Sequence, residues 1–333
     1  MQHFTRHPKF QTLIATLVIA SAATAGALAQ QTTFSTAEAV AAAPWAENVQ
    51  ITIDGDVVRY QSDGLPDHAV PERFVVPADG NQPPFSGDAT SDFIIVDTAE
   101  FLQSDPVDEL ITLTPRYSDT TTDTPLGIIG VALSGARIFN DYETPNRSVV
   151  ALDDNLQIDG ASFVDACNAH PLQSGLSYHY HGVPFCITKA VDTQGQHSAM
   201  IGLLLDGFPV YGPQGPSGTL MSNSDLDACS GHREATPEFP DEIYHYHLTI
   251  DEAPYSIDCF HGVVEEARFD NAGGPGGADG GPPDLAAAAE QLGVSQAALA
   301  EALGNDMPPD FAQAAEILGI DIGTLRSALP SAN

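Results

Sequence analysis

The 333-residue chain is predicted to be mainly β: an internally duplicated β domain with a pseudo-two-fold axis, followed by a small all-α tail of two helical hairpins. Three observations predict this architecture. Short apolar runs alternate with turn-rich segments between residues 48 and 265, and four landmarks in that region occur twice in the same order. The composition then changes abruptly after a Gly/Pro-rich linker at 271–283.

Residues 1–29 have the pattern of a secretory signal peptide. Arg6 and Lys9 precede an apolar run over 13–29 that ends in Ala-Leu-Ala, the small-x-small pattern of a cleavage site. The alternative is a membrane anchor. Ala, Thr, Ser and Gly make the run weakly hydrophobic, and no second run of spanning length follows it. We therefore expect a soluble chain that is secreted or periplasmic and has no membrane contact after cleavage.

The chain is strongly acidic, with a formal net charge of −34 at pH 7. Removal of Arg6 and Lys9 with the signal would make it more negative still. Such a charge repels nucleic acid and anionic lipid, so neither is an expected partner. The acids are scattered along the chain, which favours solubility in a salty exterior, with a loose affinity for cations as the second interpretation.

The β domain is expected over 45–265. It begins with "NVQITIDGDVVRYQS" at 48–62, whose alternating pattern around Asp54-Gly55 predicts a β-hairpin. The later runs "FIIV", "LITL", "IIGVAL" and "MIGLLL" are short, and Pro, Gly and Asp separate them. Few segments of this region have helical spacing, so it is predicted to consist mainly of strands.

The duplication appears as two repeats, at about 128–186 and about 200–262. "IIGVALSGARIFND" at 128 matches "MIGLLLDGFPVYGP" at 200, and "DACNAH" at 165 matches "DACSGH" at 227. Each repeat then has a Tyr-His-Tyr-His sequence, at 178–181 and 244–247, and a cysteine after it. Four landmarks in one order predict two similar halves related by a pseudo-two-fold axis.

The tail at 284–330 contains a second repeat, in which "PDLAAAAEQLGVSQAALAEALG" resembles "PDFAQAAEILGIDIGTLRSALP". Each unit has Asp at a helix N-cap, a Gly stop and a second short helix, which predicts two helical hairpins. A helix-turn-helix can bind DNA, but the only basic residue of this acidic tail is Arg326. We expect instead a spacer or a docking module for a protein partner.

The Tyr-His-Tyr-His copies predict metal ligands. On a strand, alternate side chains share a face, so His179 and His181 lie together, as do His245 and His247. Histidines two residues apart on a strand are close enough to bind one ion. The alternative is that each histidine merely makes structural hydrogen bonds. Because the motif is duplicated and eight of the eleven histidines lie between 170 and 261, metal binding is favoured.

Nitrogen donors suit zinc or copper better than calcium or magnesium. If the axis brings the two His-x-His strands together, all four histidines share one ion, which is our first expectation. Two independent sites are the alternative, and His170 and His232 would then have to help. His197 is a further candidate ligand in the same region.

The four cysteines allow three disulfide pairings. Cys167 with Cys186 and Cys229 with Cys259 is favoured, because each bridge then encloses one Tyr-His-Tyr-His copy. Closing loops of this size stabilises a fold by about 3 kcal/mol. The competing interpretation is zinc bound by the Cys-x-x-His pairs, which needs the reduced thiols of a reducing compartment.

These motifs resemble the YHYH domain family of exported bacterial and algal proteins. The resemblance rests on both Tyr-His-Tyr-His copies, "DACNAHP", "LDACSGH", "HSAMIGLLLDGFPVYGPQG", "APYSIDCFHG" and "SDGLPDH" at 62–68, and it covers roughly 45–265. It implies no defined activity. It does imply that His68 belongs to the same domain as the histidine-rich repeats, and His68 is therefore a further candidate ligand. The first repeat lacks the Pro-Val-Tyr-Gly of the second, so the halves need not be equivalent.

Three functions compete. The first is an exported metal-binding protein. The second is a metal-dependent extracellular enzyme, a zinc hydrolase or a copper oxidase, in which Asp206 is either a general base or a turn residue. The third is a metal-free surface or carbohydrate-binding module that uses exposed tyrosines. An open site favours the enzyme, a closed site the binder, and solvent-facing Tyr178 and Tyr244 the module.

Overall fold

The structure is a computed structural model. It describes residues 35–78, 81–87, 91–144 and 146–264, together with parts of the C-terminal region, which are 289, 292–295, 298–299, 302, 311–320 and 324–325. The expected signal peptide at 1–29 and the expected Gly/Pro linker at 271–283 lie outside the described residues.

The described chain is mainly β, as predicted. The first ten strands are β1 Gln50–Asp54, β2 Val57–Ser62, β3 Arg73–Pro77, β4 Phe93–Asp97, β5 Val107–Thr112, β6 Tyr117–Asp123, β7 Ile128–Ala132, β8 Arg137–Phe139, β9 Gln157–Ile158 and β10 Ala161–Ser162. The other seven are β11 Ala169–His170, β12 His179–Tyr180, β13 Met200–Leu204, β14 Pro209–Tyr211, β15 Gly231–Glu234, β16 Ile243–His247 and β17 Cys259–Gly262. The helices of this part are α1 Thr36–Ala42, α2 Thr98–Phe101 and α3 Phe185–Val191.

Three small sheets surround a large one. The N-terminal hairpin expected at Asp54-Gly55 is present as β1 and β2, and β5 extends it to three strands. A second sheet has the order β4-β3-β10-β9, and a third pairs β17 with β6. These sheets bring segments from both ends of the domain next to the large sheet.

The large sheet has eight strands in the order β11-β12-β8-β7-β13-β14-β16-β15. At its centre, β7 and β13 are antiparallel. On each side of this central pair the order of connections is the same. The next strand outward, β8 or β14, forms an antiparallel hairpin with the central strand. The strand with the Tyr-His-Tyr-His sequence, β12 or β16, then runs parallel to that hairpin strand. An antiparallel edge strand, β11 or β15, ends the sheet.

The glycines of the repeated Ile-Gly sequence lie where the two central strands meet. A Cβ atom on Gly202 would come within 2.1 Å of the carbonyl oxygen of Val131, and one on Gly130 within 2.7 Å of that of Leu203. Both strands also have an irregular register at this point. Only glycine allows backbones to approach this closely, which explains the residue at both positions.

The main core lies on both faces of the eight-stranded sheet. Its members include the side chains of β7, β8, β13 and β14 and all four tyrosines of the repeated motif. Helix α1 also contributes Val40, which is fully buried. The compact region therefore begins before residue 45, the boundary expected from the sequence. Within the residues described, no helix has the length and apolar character needed to cross a membrane.

The two helical hairpins expected over 284–330 lie largely outside the described residues. The described part contains one complete helix, α4 Phe311–Leu318. A separate apolar cluster joins Leu299 and Ala302 from the first unit to Ala314 and Leu325 from the second. The two units thus share a small core of their own.

Candidate metal centres

The strand register gathers the histidines of each repeat. In the first repeat, His170 on β11 lies directly opposite His179 on β12. In the second, His232 on β15 lies directly opposite His245 on β16. Directly opposed residues of an antiparallel pair have neighbouring side chains on one face of the sheet. The histidine that ends each Asp-Ala-Cys-x-x-His sequence therefore joins the His-x-His pair of its own repeat.

Two separate clusters result. The first histidine cluster consists of His170, His179 and His181, and the second of His197, His232, His245 and His247, and in each the candidate ligand atoms all lie within 4.8 Å of one another. The eight-stranded sheet places β8, β7, β13 and β14 between the two Tyr-His-Tyr-His strands. Five strand spacings amount to about 24 Å. The expectation of one ion shared by all four motif histidines is therefore wrong, because no single ion can reach both strands.

In the second cluster, the backbone fixes the direction of three imidazoles. The Nδ1 atoms of His197, His245 and His247 lie 2.7, 3.0 and 2.6 Å from the carbonyl oxygens of residues 198, 243 and 212, respectively. A carbonyl oxygen can only accept, so each Nδ1 must carry the proton. Each Nε2 atom then has a free lone pair, and these lone pairs point into the cluster. Metal-bound histidines are held by such contacts.

The Nε2 atoms of the second cluster conflict with one another unless a cation lies between them. Nε2 of His245 is 3.1 Å from that of His232 and 3.2 Å from that of His247. The Nε2 atoms of His245 and His247 are both acceptors, so no hydrogen bond is possible between them. Nitrogen ligands held about 2.0–2.1 Å from a tetrahedral ion are themselves about 3.3 Å apart, close to the observed spacing.

A proton is a poor substitute for that ion at neutral pH. Burial, and after it the neighbouring His247, lower the pKa of His245 to about 2. Burial also lowers the pKa of His247 to about 3. Both side chains are fully buried, and burial lowers the pKa of the partly buried His232 as well. His245 and His247 are thus neutral at pH 7, which is the form that binds metal.

The first histidine cluster has the same backbone contacts. Nδ1 of His179 donates to the carbonyl oxygen of Ser177 at 2.6 Å, and Nδ1 of His181 to that of Asn140 at 2.5 Å. Burial lowers the pKa of His179 well below its usual value and that of His181 to about 4. His170 is 3% exposed, and neither of its ring nitrogens has a hydrogen-bond partner.

Glu143 is a member of the first cluster that the sequence did not reveal. Its Oε1 atom lies 3.1 Å from Nε2 of His170 and 3.2 Å from Nε2 of His181. None of these three buried atoms has a hydrogen-bond partner, because the contacts lack the required direction. The three atoms therefore converge in the way that the ligand atoms of a metal site do. The repeat alignment pairs Glu143 with Gly215, so the duplication held no signal for this carboxylate.

The tyrosines lie on the opposite face of each strand and are structural. The hydroxyl of Tyr178 donates to Asp165 at 2.6 Å, and that of Tyr244 donates to Asp227 at 2.8 Å. The same two carboxylates also accept from the backbone N–H of the cysteine two residues later. The repeated Asp-Ala-Cys sequence thus holds a turn and a tyrosine together in each half.

His68 is also on the tyrosine face and joins neither histidine cluster. Its Nε2 atom lies 2.6 Å from the hydroxyl of Tyr180, which in turn lies 2.8 Å from Oγ of Ser134. In the second half, Asp206 takes the place of Ser134 and accepts from Tyr246 at 2.6 Å. Asp206 is fully buried and is a member of neither histidine cluster, so its role here is to hold the tyrosine.

The cysteines form the two expected pairs. The Cα atoms of Cys167 and Cys186 are 5.5 Å apart, and those of Cys229 and Cys259 are 4.9 Å apart, both at disulfide distance. The geometry does not favour a zinc ion bound by the Cys-x-x-His pairs, because His170 and His232 are grouped with the other histidines and not with the cysteines.

The fold and the two clusters define a class of protein: a β domain whose central sheet carries two buried sets of nitrogen donors. The family comparison covers the region that contains both clusters. Residues 109–220 and 217–262 match the family described as YHYH protein, so this region of the chain is a YHYH domain. His68 lies outside the matched residues. Neither the curated proteins nor the solved structures contain a match to the chain.

Proposed function

We propose that this YHYH domain is an exported, soluble transition-metal-binding domain that holds two ions, one in each histidine cluster. One observation carries the proposal. The backbone fixes the Nδ1 protons of five histidines, so that their Nε2 lone pairs converge in two buried groups that have too few protons to satisfy all of them. A bound cation gives all of these lone pairs a partner.

Zinc or copper is the class of ion that fits. The second cluster offers four imidazoles, and the first offers three imidazoles and the Glu143 carboxylate. Imidazole-rich sets favour zinc and copper, whereas calcium and magnesium prefer oxygen ligands. Since the first site contains one carboxylate, a divalent ion there leaves a smaller net charge in the core than in the second site, which favours its occupancy.

We also propose that the two halves arose by duplication. The matching strand order on both sides of β7 and β13 supports this origin, as do the paired contacts of Asp165 with Tyr178 and of Asp227 with Tyr244. Export through the signal at 1–29 is proposed with it, and the two cysteine pairs at disulfide distance are consistent with an oxidising compartment. The helical tail is proposed to dock a protein partner.

Burial separates the competing functions. Tyr178 is 0% and Tyr244 3% exposed, so neither is available as a stacking platform for a surface or carbohydrate-binding module. The first cluster is closed, which favours a binder. One observation favours a metal-dependent enzyme as a second candidate: the side chain of His232 in the second cluster is 21% exposed, so that site has an opening.

Metal stoichiometry tests the proposal. The metal-free chain is loaded with zinc or copper(II), dialysed, and its metal content is measured by mass spectrometry. We expect two ions per chain. The double variant His179→Ala, His181→Ala should retain one ion with unchanged affinity, because four strands separate the two Tyr-His-Tyr-His strands. The pair His245→Ala, His247→Ala should likewise leave only the first ion.

His68→Ala is the matched control. It removes a histidine from the same domain that belongs to neither histidine cluster. It should therefore keep both ions. If the wild-type chain binds no zinc or copper, or if His68→Ala loses as much metal as the cluster variants do, the histidines are structural and the proposal is wrong.

A further inference from the structure

The two histidine clusters differ in how their outermost ligand is held. In each cluster that ligand lies on an edge strand of the eight-stranded sheet, His170 on β11 and His232 on β15. The side chain of His170 is 4% exposed, whereas that of His232 is 21% exposed. The same position in the two halves is therefore enclosed in one site and open to solvent in the other.

Packing holds His170 in place. The ring of Phe163 meets its imidazole edge-on, with the ring centroids 4.3 Å apart, and Phe163 is itself 1% exposed. Glu143 approaches Nε2 of His170 to 3.1 Å. Rotation of His170 away from the cluster would have to displace part of a close-packed core, which is costly.

His232 has no such cover. Among the residues that the structure describes, its imidazole has ring contacts only with His245 and His247, both members of its own cluster. The nearest carboxylate oxygen paired with it, on Glu234, is 3.9 Å away from Nε2, and the Glu234 side chain is 36% exposed. Solvent therefore reaches this ligand.

His232 also lacks the backbone contact that fixes the other ligands of the second cluster. His197, His245 and His247 each donate Nδ1–H to a carbonyl oxygen, but no such bond to Nδ1 of His232 is present among the described residues. Rotation of His232 would leave the ion held by three fixed nitrogens with one open position. A small donor or chelator from solvent can bind at such a position.

The geometry points to His232 as a gate through which the second histidine cluster exchanges its ion with soluble ligands, while the first cluster retains its ion. The inference rests on the proposed function, since it needs an ion in each site. The surroundings favour cation entry: Glu234 borders the opening, and the chain has a formal net charge of −34. The class of exchange partner is a small soluble chelator or a monodentate donor such as imidazole.

Release kinetics test the gate. The full chain is loaded with two equivalents of cobalt(II), whose absorption reports its ligands, and is then mixed with excess chelator. We expect two phases of equal amplitude that differ in rate by about 10- to 100-fold, the usual effect of the outer contacts that fix a ligand. His245→Ala with His247→Ala should remove only the fast phase, and His179→Ala with His181→Ala only the slow one.

A matched pair of variants then separates the gate from general stability. His232→Ala should accelerate the fast phase or abolish that ion's binding, and should leave the slow phase unchanged. Phe163→Ala, which uncovers His170 without removing a ligand, should accelerate the slow phase toward the fast one. If thermal melting shows that this variant does not fold, Phe163→Leu takes its place and should accelerate the slow phase to a smaller extent.

Two cobalt ions that leave at one rate would overturn the gate and leave the proposed function intact. An equal change of both phases in His232→Ala would also overturn the gate and leave the proposed function intact. A chain that takes up no cobalt, zinc or copper would instead overturn the proposed function, and the gate with it.

Discussion

Removal of the metal should lower the thermal stability of the domain by an amount that the second cluster allows us to work out. In the metal-free protein, Nε2 of His197 is a buried acceptor without a partner, and Nε2 of His247 faces Nε2 of His245, which is another acceptor. Each unsatisfied buried group costs about 1–3 kcal/mol, so the two together cost about 2–6 kcal/mol. A bound ion relieves this cost.

Mass action sets the gain that is measured. Free zinc at 1,000 times the dissociation constant stabilises a folded protein by about 4 kcal/mol per site. A domain of this size melts about 2–4 °C higher for each kcal/mol. Zinc loading should therefore raise the melting temperature by about 8–16 °C for one site, and by more for two.

The assay is calorimetry of the chelated protein at a series of buffered free zinc concentrations, with the same concentrations of magnesium as the control. The melting temperature should rise continuously with the logarithm of free zinc and should not respond to magnesium, because the sites lack the oxygen ligands that magnesium requires. A melting temperature that is the same at all zinc concentrations would refute the reasoning about the buried lone pairs.

Three further outcomes are expected. Peptide mapping without reductant should recover Cys167–Cys186 and Cys229–Cys259, and a bridge between the two repeats, or four free thiols in the exported chain, would contradict the pairing. A chain truncated after residue 270 should still melt cooperatively, because the composition changes there; aggregation of that chain while the full chain stays soluble would mean that the helices cover part of the core. Burial raises the pKa of Asp206 to about 6, so folding disfavours its ionised form. The stability of the wild type relative to Asp206→Asn should therefore be greatest below about pH 4 and fall by about 2–3 kcal/mol as the pH rises through 6, as measured by urea unfolding at pH 4 to 7; an unchanged difference would contradict the shifted pKa.

Much of the second half could be predicted from the sequence, because its motif follows simple strand periodicity. Strand β16 covers Ile243–His247, so the alternation of histidines and tyrosines between two faces follows directly. In the first half, β12 is only His179–Tyr180, and the same alternation holds mainly because the turn sequences around it match those of the second half. The duplication also identified the edge-strand histidines His170 and His232 as candidate ligands, because each ends a repeated Asp-Ala-Cys-x-x-His sequence.

The features of the sites that could not be predicted depend on contacts between segments that are distant in the sequence. Separation of the two sites follows from the antiparallel pairing of β7 with β13 at the centre, and local periodicity does not specify which strands meet there. Glu143 reaches its cluster from the segment after β8, in a sequence with no repeat partner that carries a carboxylate. His68 packs against the first repeat, yet its side chain lies on the tyrosine face, because the position of a loop relative to a sheet depends on tertiary packing.

The carbonyl oxygens that orient the histidines have a consequence for the tolerance of the sites to mutation. At positions 140, 177, 198 and 243 the acceptor belongs to the main chain, so replacement of the side chain leaves an acceptor in place. At Gly212, by contrast, an added Cβ atom would meet Oγ of Ser198 and Cγ2 of Thr188 at 2.8 Å, so this acceptor depends on a glycine. Substitutions among the orienting residues should therefore be tolerated unequally, with Gly212 the one position whose replacement disturbs a ligand without touching a histidine.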